Sequence, residues 1–380
     1  MTIDRHVTPV GRQAVFDILL ENSFDFLSPE YSDLFGRAGA TPFQHPLWLA
    51  GLYLNLASRL GVEPMVIAVR WREDQRLAMI LPLVRRRHGA IRVVEFADLG
   101  VSDYAAPVCE DAVFAQIVAD PKVCKAIRTQ LKPYDLLRIK KVGDRAPPLE
   151  KLFGGDRAPM DVSAHAVSLY EPIGQWQADN LGSSFEKELQ KKRRQLNRVG
   201  EVRFECLQDA AQIADTFRAM QEYRNERFEG DLLQNPLYYG FYLDVALKGA
   251  ASGFSRTYRL SVDGQAIGAI WGLCHRRQFL VLMGGFDLVT YKSQSIGALA
   301  FEDVAKDCIA RQDLILDFTI GDESYKRRFG AQPSGLWMIS AAATPPGKVA
   351  ALLAKAPWAM KVARDFVNRQ GGGATQPVGA

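Results

Sequence analysis

The sequence predicts a mixed α/β fold in two successive halves, on three observations. Residues 279–283 and 314–316 are unbroken apolar runs, as strands buried on both faces show. Between them Ile296, Leu299, Ala300, Val304 and Cys308 recur at helical spacing. Asp263-Gly264 separates the strand-like runs 254–261 and 266–274, a type I′ hairpin signal. Residues 143–159, with Pro147-Pro148 and Gly154-Gly155, interrupt the periodicity near the middle and read as a link. The expected organisation is residues 1–160, residues 161–345, and a basic amphipathic tail over residues 346–380.

In chain order, residues 15–20 have helical spacing and residues 24–27 strand character. Residues 48–60 form an amphipathic helix pattern. Residues 65–70 and 77–84 flank Glu73-Asp74-Gln75 as a hairpin. The following Arg85-Arg86-Arg87-His88 is either a solvated strand end or a phosphate contact. A strand over residues 91–96 leads into Gly100-Val101-Ser102-Asp103-Tyr104, then a helix over 112–131 and a strand over 134–139.

The second half reopens with strand character at residues 167–170. Ser183 with Glu186 has capping-box spacing for a helix carrying Lys187, Lys191, Arg194 and Arg198 on one basic face. Asp209 with Gln212 starts the next helix, which faces inward through Ile213, Phe217 and Met220 and ends at Glu226-Arg227-Phe228. Pro236 opens a third helix. After the strand at 278–283 come Gly284-Gly285 and the polar turn Lys292-Ser293-Gln294-Ser295-Ile296-Gly297, with Ser295 as the expected cap. A strand feeding a helix through such a turn leaves backbone N–H groups unpaired, which suits the pyrophosphate of a nucleotide cofactor.

A family resemblance rests on these residues. Gln294-Ser295-Ile296-Gly297-Ala298 resembles the Gln/Arg-x-x-Gly-x-Gly/Ala turn that holds acyl-coenzyme A in GNAT acetyltransferases, with Leu299 where that turn has a small residue. Residues 325–330, Tyr-Lys-Arg-Arg-Phe-Gly, are similar to the helix that ends that fold. The order Gly321-Asp322-x-x-Tyr325-Lys326-x-x-Phe329, the basic helix from Phe185 and the Ser102-Asp103-Tyr104 segment resemble the CelD/BioF2-like branch. That branch is related to Fem transferases and linked to exopolysaccharide production. The resemblance implies two tandem GNAT-like domains in a Fem-like architecture, the first of them degenerate.

It further implies an acyl-CoA-dependent N-acetyltransferase acting on a sugar of a surface polysaccharide or its precursor. Acetyl-CoA would be the donor, held by Met283, Gly284, Lys292, Gln294, Ser295, Ile296, Gly297 and Ala298. Asp322 or Asp317 would remove the acceptor proton and Tyr325 would protonate the thiolate. Lys326, Glu226, Arg227, Asp103 and Tyr104 would contact a carbohydrate or lipid-linked sugar. Two alternatives stand beside this reading. One is a Fem-type aminoacyl transferase. The other is a regulator binding a cyclic dinucleotide through Arg364 and Arg369.

Composition bounds the rest. Of 380 residues, 48% are hydrophobic and 24% charged, as in ordinary globular proteins. No apolar run suffices to span a bilayer and the first residues lack a signal-peptide core, which predicts a cytoplasmic protein. Five scattered cysteines without C-x-x-C spacing and five isolated histidines predict neither disulfide nor metal. A net charge of +4 argues against nucleic acid as the main partner. The tail holds Lys348, Lys355, Lys361, Arg364 and Arg369 against Asp365 alone, so it predicts possible contact with the inner face of an anionic membrane.

Overall fold

The computed structural model describes residues 15–354 except 226, 228 and 229. Strands of the first half are β1 (Phe16–Glu21), β2 (Glu63–Pro64), β3 (Val66–Trp71), β4 (Leu77–Leu81), β5 (Leu83–His88), β6 (Ile91–Phe96), β7 (Val108–Cys109) and β8 (Leu136–Gly143). They are followed by β9 (Asp156–Ser168), β10 (Val202–Leu207), β11 (Ser255–Val262), β12 (Gln265–His275), β13 (Gln278–Phe286), β14 (Ile315–Ile320) and β15 (Gln332–Ala342). A small sheet has the order β1-β3-β4-β7. The remaining strands form one continuous sheet, β10-β11-β12-β13-β14-β9-β15-β8-β6-β5-β2.

The halves are joined at two levels. β15, the last strand, lies between β9 and β8 and pairs antiparallel with both. An apolar core also crosses the boundary, where Trp48 meets Phe241 and Tyr242 with ring centroids 5.0 and 6.4 Å apart. Two further cores lie under the sheet, one around Leu137 and Ile139 and one around Leu299, Val304 and Phe318.

Most expected elements are present, and the departures have local causes. Residues 15–20 are strand β1, because pairing with β3 overrides their helical spacing. Residues 24–27 are a turn before the helix Pro29–Arg37. The helix over 112–131 is two helices, Asp111–Ala119 and Pro121–Gln130, because Pro121 has no N–H to continue the first. The expected link contains the helix Leu149–Phe153 and the start of β9, whose pairing with β15 begins at Asp156. Gly182, not Ser183, caps the helix Ser183–Leu196, and no side-chain capping bond forms. Asp209 does cap Ala210–Arg224, accepting from the Gln212 amide. Asp263 and Gly264 both adopt positive φ, as a type I′ turn requires.

Candidate active site

β13 and β14 run parallel but pair only at Gln278–Leu280 with Ile315–Asp317. Beyond Leu280 the strands part. β13 is bulged against β12: Trp271 faces Met283 and Gly272 faces Val281, so Leu282 is the extra residue. The gap opens into a cleft of about 510 Å³, within the usual range for a small-molecule site. Met283, Gly284, Gly297, Ala298, Phe301, Phe318 and Tyr325 line it, with Arg224 and Arg227 at its edge.

The turn beneath the gap departs from the expected cap. Ser295 lies in the left-handed region (φ +52°) and makes no side-chain cap bond; its carbonyl accepts from the Ala298 and Leu299 amides. The amides of Ile296 and Gly297 are left without a backbone acceptor among the described residues, at the positive end of the helix Ile296–Ala310. Leu299 and Ile296 are fully buried in the core below this helix, so neither side chain enters the cleft. Lys292 is exposed, and Gln294 is held by the Ser293 hydroxyl at the outer edge of the turn. The neighbouring helix braces this one. Arg193 binds Asp303 at 2.6 Å and Glu302 at 2.9 Å, and Lys192 reaches the Ser293 carbonyl.

The two faces of β14 carry different chemistry. On one face Tyr325 stacks on Phe301 (5.2 Å between centroids) and meets Phe318 edge-on. Burial pushes its hydroxyl above the usual range, and no hydrogen-bond partner for it exists among the described residues. On the other face Asp317 receives two contacts from the Tyr104 hydroxyl, at 2.9 and 3.0 Å, and one from the Thr319 amide at 2.7 Å. Burial raises the Asp317 carboxyl to about 6, against the opposing pull of these hydrogen bonds. Burial also raises Asp103, whose charge adds to the rise at Asp317. The first half thus supplies two of the groups around this carboxylate. Their loop is pinned by Lys141 on the Ser102 carbonyl (2.6 Å) and Trp48 on the Ser102 hydroxyl (3.0 Å).

Thr319 has a left-handed backbone (φ +56°), an outlier for a β-branched residue, and its hydroxyl donates across the gap to the Val281 carbonyl at 3.1 Å. Sequence reading missed it, although alternation along β14 places it on the face of Asp317. Arg224 was missed as well. It joins Asp231 by two bonds (2.8 and 2.9 Å) and the Gly284 carbonyl at 2.8 Å, tying the helix end to the bulged strand.

Two expected roles need correction. Asp322 does not face the cleft. Gly321, at φ +122° and bonded to the Ser163 carbonyl, turns it toward His165, whose Nε2 lies 2.9 Å away and holds the carboxyl below its usual range. Lys326 lines the cleft, but its buried ammonium is occupied by the carbonyls of Thr319, Ile320 and Gly321 and by Glu323. It is a strut for the left-handed turn, not a free cation. Lys326→Met is therefore expected to cost about 2–4 kcal/mol in chemical denaturation, since three carbonyls lose their donor. Glu226, Arg364 and Arg369 lie outside the described residues.

Residues 183–327 match the family described as Acetyltransferase (GNAT) domain, and this match supports a transferase. No curated protein sequence matches the chain. Among solved structures, the chain is similar to L-PGS from Bacillus licheniformis (12% identity, 84% of this chain and 94% of that one, TM-score 0.55). It is also similar to FemX (10% identity, 81% and 94%, TM-score 0.54). A third is a conserved protein of unknown function from Bacteroides thetaiotaomicron VPI-5482 (11% identity, 85% and 99%, TM-score 0.53). At these identities the likeness establishes the fold alone, a mixed α/β arrangement of the Fem type. Among the described residues no helix is long and apolar enough to cross a membrane.

Proposed function

We propose that the chain is an acyl-CoA-dependent N-acetyltransferase acting on a sugar of a surface polysaccharide or its precursor. The observation that carries the reading is the parting of β13 from β14 beside the Leu282 bulge, above a helix start with open amides. An acyl thioester entering that gap has its pyrophosphate at the amides of Ile296 and Gly297. Its carbonyl lies against the backbone of the bulged strand, where N–H groups stabilise developing negative charge. The acceptor amine approaches from the Tyr104 side. Its nitrogen bonds to the acyl carbon as the carbon–sulfur bond breaks, with no covalent intermediate on the protein.

Asp317 receives the acceptor proton, by way of the Tyr104 hydroxyl. A carboxyl near 6 is ionised at neutral pH and still basic enough to do so, so kcat/KM is expected to fall about tenfold per unit below pH 6. Tyr325 donates to the departing thiolate. Tyr325→Phe is expected to lower turnover well over tenfold with an unchanged melting temperature; full turnover would remove the residue from the mechanism. The resemblance of several stretches to the CelD-like branch supports a sugar acceptor, and a lipid-linked form of it would draw the chain to the membrane. The helix Pro345–Ala354, with Val349 and Leu352 exposed beside Lys348, suits that surface.

Calorimetry with acetyl-CoA, with aminoacyl-tRNA and with a cyclic dinucleotide, followed by thiol-release assays on amino sugars, tests the proposal. Binding of the dinucleotide alone would replace the transferase with a regulator. Turnover only with aminoacyl-tRNA would replace the donor.

A further inference from the structure

At the far end of the large sheet, with β9 and β15 between it and the cleft, β8, β6 and β5 lie side by side. Arg86 on β5 faces Val93, and Val93 faces Leu136 on β8. Arg86, Glu95, Arg138 and Lys140 therefore project from one face, while Leu137 and Ile139 enter the core on the other. Glu95 is shared by Arg86 at 3.6 Å and Arg138 at 3.4 Å, both long contacts. The Arg138 Nε is buried without a hydrogen-bond partner, and Lys140 has neither ion pair nor hydrogen bond among the described residues. Nearby carboxylates are committed elsewhere: Asp98 to Lys141 at 3.2 Å, and Asp135 to Arg92.

Arg86 and Arg138 thus share one carboxylate in a partly desolvated place beside Lys140, and burial, with the neighbouring Arg138 charge added, holds the Lys140 ammonium below its usual range. Uncompensated buried charge destabilises a fold. We propose that this face is a binding site for a phosphate-bearing anion, with Arg86 and Arg138 supplying guanidinium donors and Lys140 an ammonium. Glu95 offers two oxygens, already divided between two arginines. A phosphate or diphosphate adds further acceptors matching the fork geometry of guanidinium. The helix Pro345–Ala354 bounds the face, since the Ala343 amide and Thr344 hydroxyl bond to Asp135 and Gly347 abuts its carbonyl. The site gives a function to Arg86 of the Arg85-Arg86-Arg87-His88 run, which the cleft leaves unused; Arg85 is paired with Glu63.

The test is calorimetry of the full-length protein with inorganic pyrophosphate at two salt concentrations, comparing wild type with Arg138→Gln/Lys140→Gln. The expected result is saturable binding that weakens with salt and drops at least tenfold in the double variant. Without ligand, the double variant is expected to melt no lower than wild type, because it relieves like-charge crowding. Lys140→Met repeats the comparison should the double variant misfold. Absent binding, or equal binding by wild type and variants, overturns the assignment. An oligogalacturonate that binds more tightly than pyrophosphate overturns the choice of phosphate. The open amides of Ile296 and Gly297 can also take pyrophosphate, but they are the same in wild type and variants, so the difference between them reads this face alone and stands whether or not the transferase reading fails.

Discussion

Asp317→Asn is expected to reduce acetyl transfer by about 10²–10⁴-fold while making the protein more stable at pH 8. Both effects have one origin. Burial lifts the Asp317 carboxyl from 3.8 to about 6, so the folded state holds this proton more tightly than the unfolded chain does. Below about pH 4 both states are protonated and the group carries no penalty. As pH rises from about 4 through 6, the unfolded chain ionises freely and the folded one at a cost, so stability falls and stays lower above 6. A shift of roughly two units corresponds to about 2–3 kcal/mol. Asparagine stays neutral, and its carbonyl can still accept from Tyr104 or the Thr319 amide. The variant should therefore exceed wild type by about that amount at pH 8 and match it near pH 4. Denaturant melts at the two pH values, together with turnover, decide the matter; equal stability at pH 8 with turnover near wild type would exclude Asp317 as the base.

Gly272→Ala is expected to be among the most damaging single methyls in the fold. A Cβ there would lie 2.0 Å from the Leu280 carbonyl oxygen and 2.9 Å from its carbon, both backbone atoms that cannot rotate away. This close approach falls where the Leu282 bulge shifts the register between β13 and β12. Leu280 is also the last residue of β13 paired with β14, opposite Asp317. Relief of the clash must move β13 where the gap begins. A loss of about 3 kcal/mol or more is expected, with a raised KM for the acyl donor. Gly240→Ala is the control: its Cβ meets nothing within 4 Å in the helix Pro236–Ser252, and it should stabilise by about 0.5–1 kcal/mol. Equal effects of the two substitutions would show that the bulge does not govern the gap.

The fold class, the hairpin at Asp263-Gly264 and the turn at residues 294–298 were legible in the sequence because each depends on neighbours in the chain. β1 was not, since its partner β3 lies some fifty residues away and local spacing favoured a helix. β15 went unanticipated: Leu336-Trp337-Met338-Ile339 is apolar, yet nothing local says that it belongs between β8 and β9. Around the cleft, Asp317, Tyr325 and Tyr104 were singled out as candidates because a strand end, a helix and a loop bear chemistry-capable side chains. Their grouping was not fully legible, because it needs Tyr104 to cross from the other half of the chain. Asp322 misled for the converse reason: its position at a turn is visible in sequence, but the buried His165 that captures it is not.

The position of β15 also sets a schedule. During synthesis the sheet around β8 emerges early, but the strand that lies between β8 and β9 arrives more than 160 residues after β9 has begun. Until then, the facing edges of β8 and β9 have unpaired amides and carbonyls, the kind of surface that attracts other chains. A ribosome that stalls before residue 332 therefore releases a chain open along its seam, and its closing strand is among the last parts of the described protein to be made.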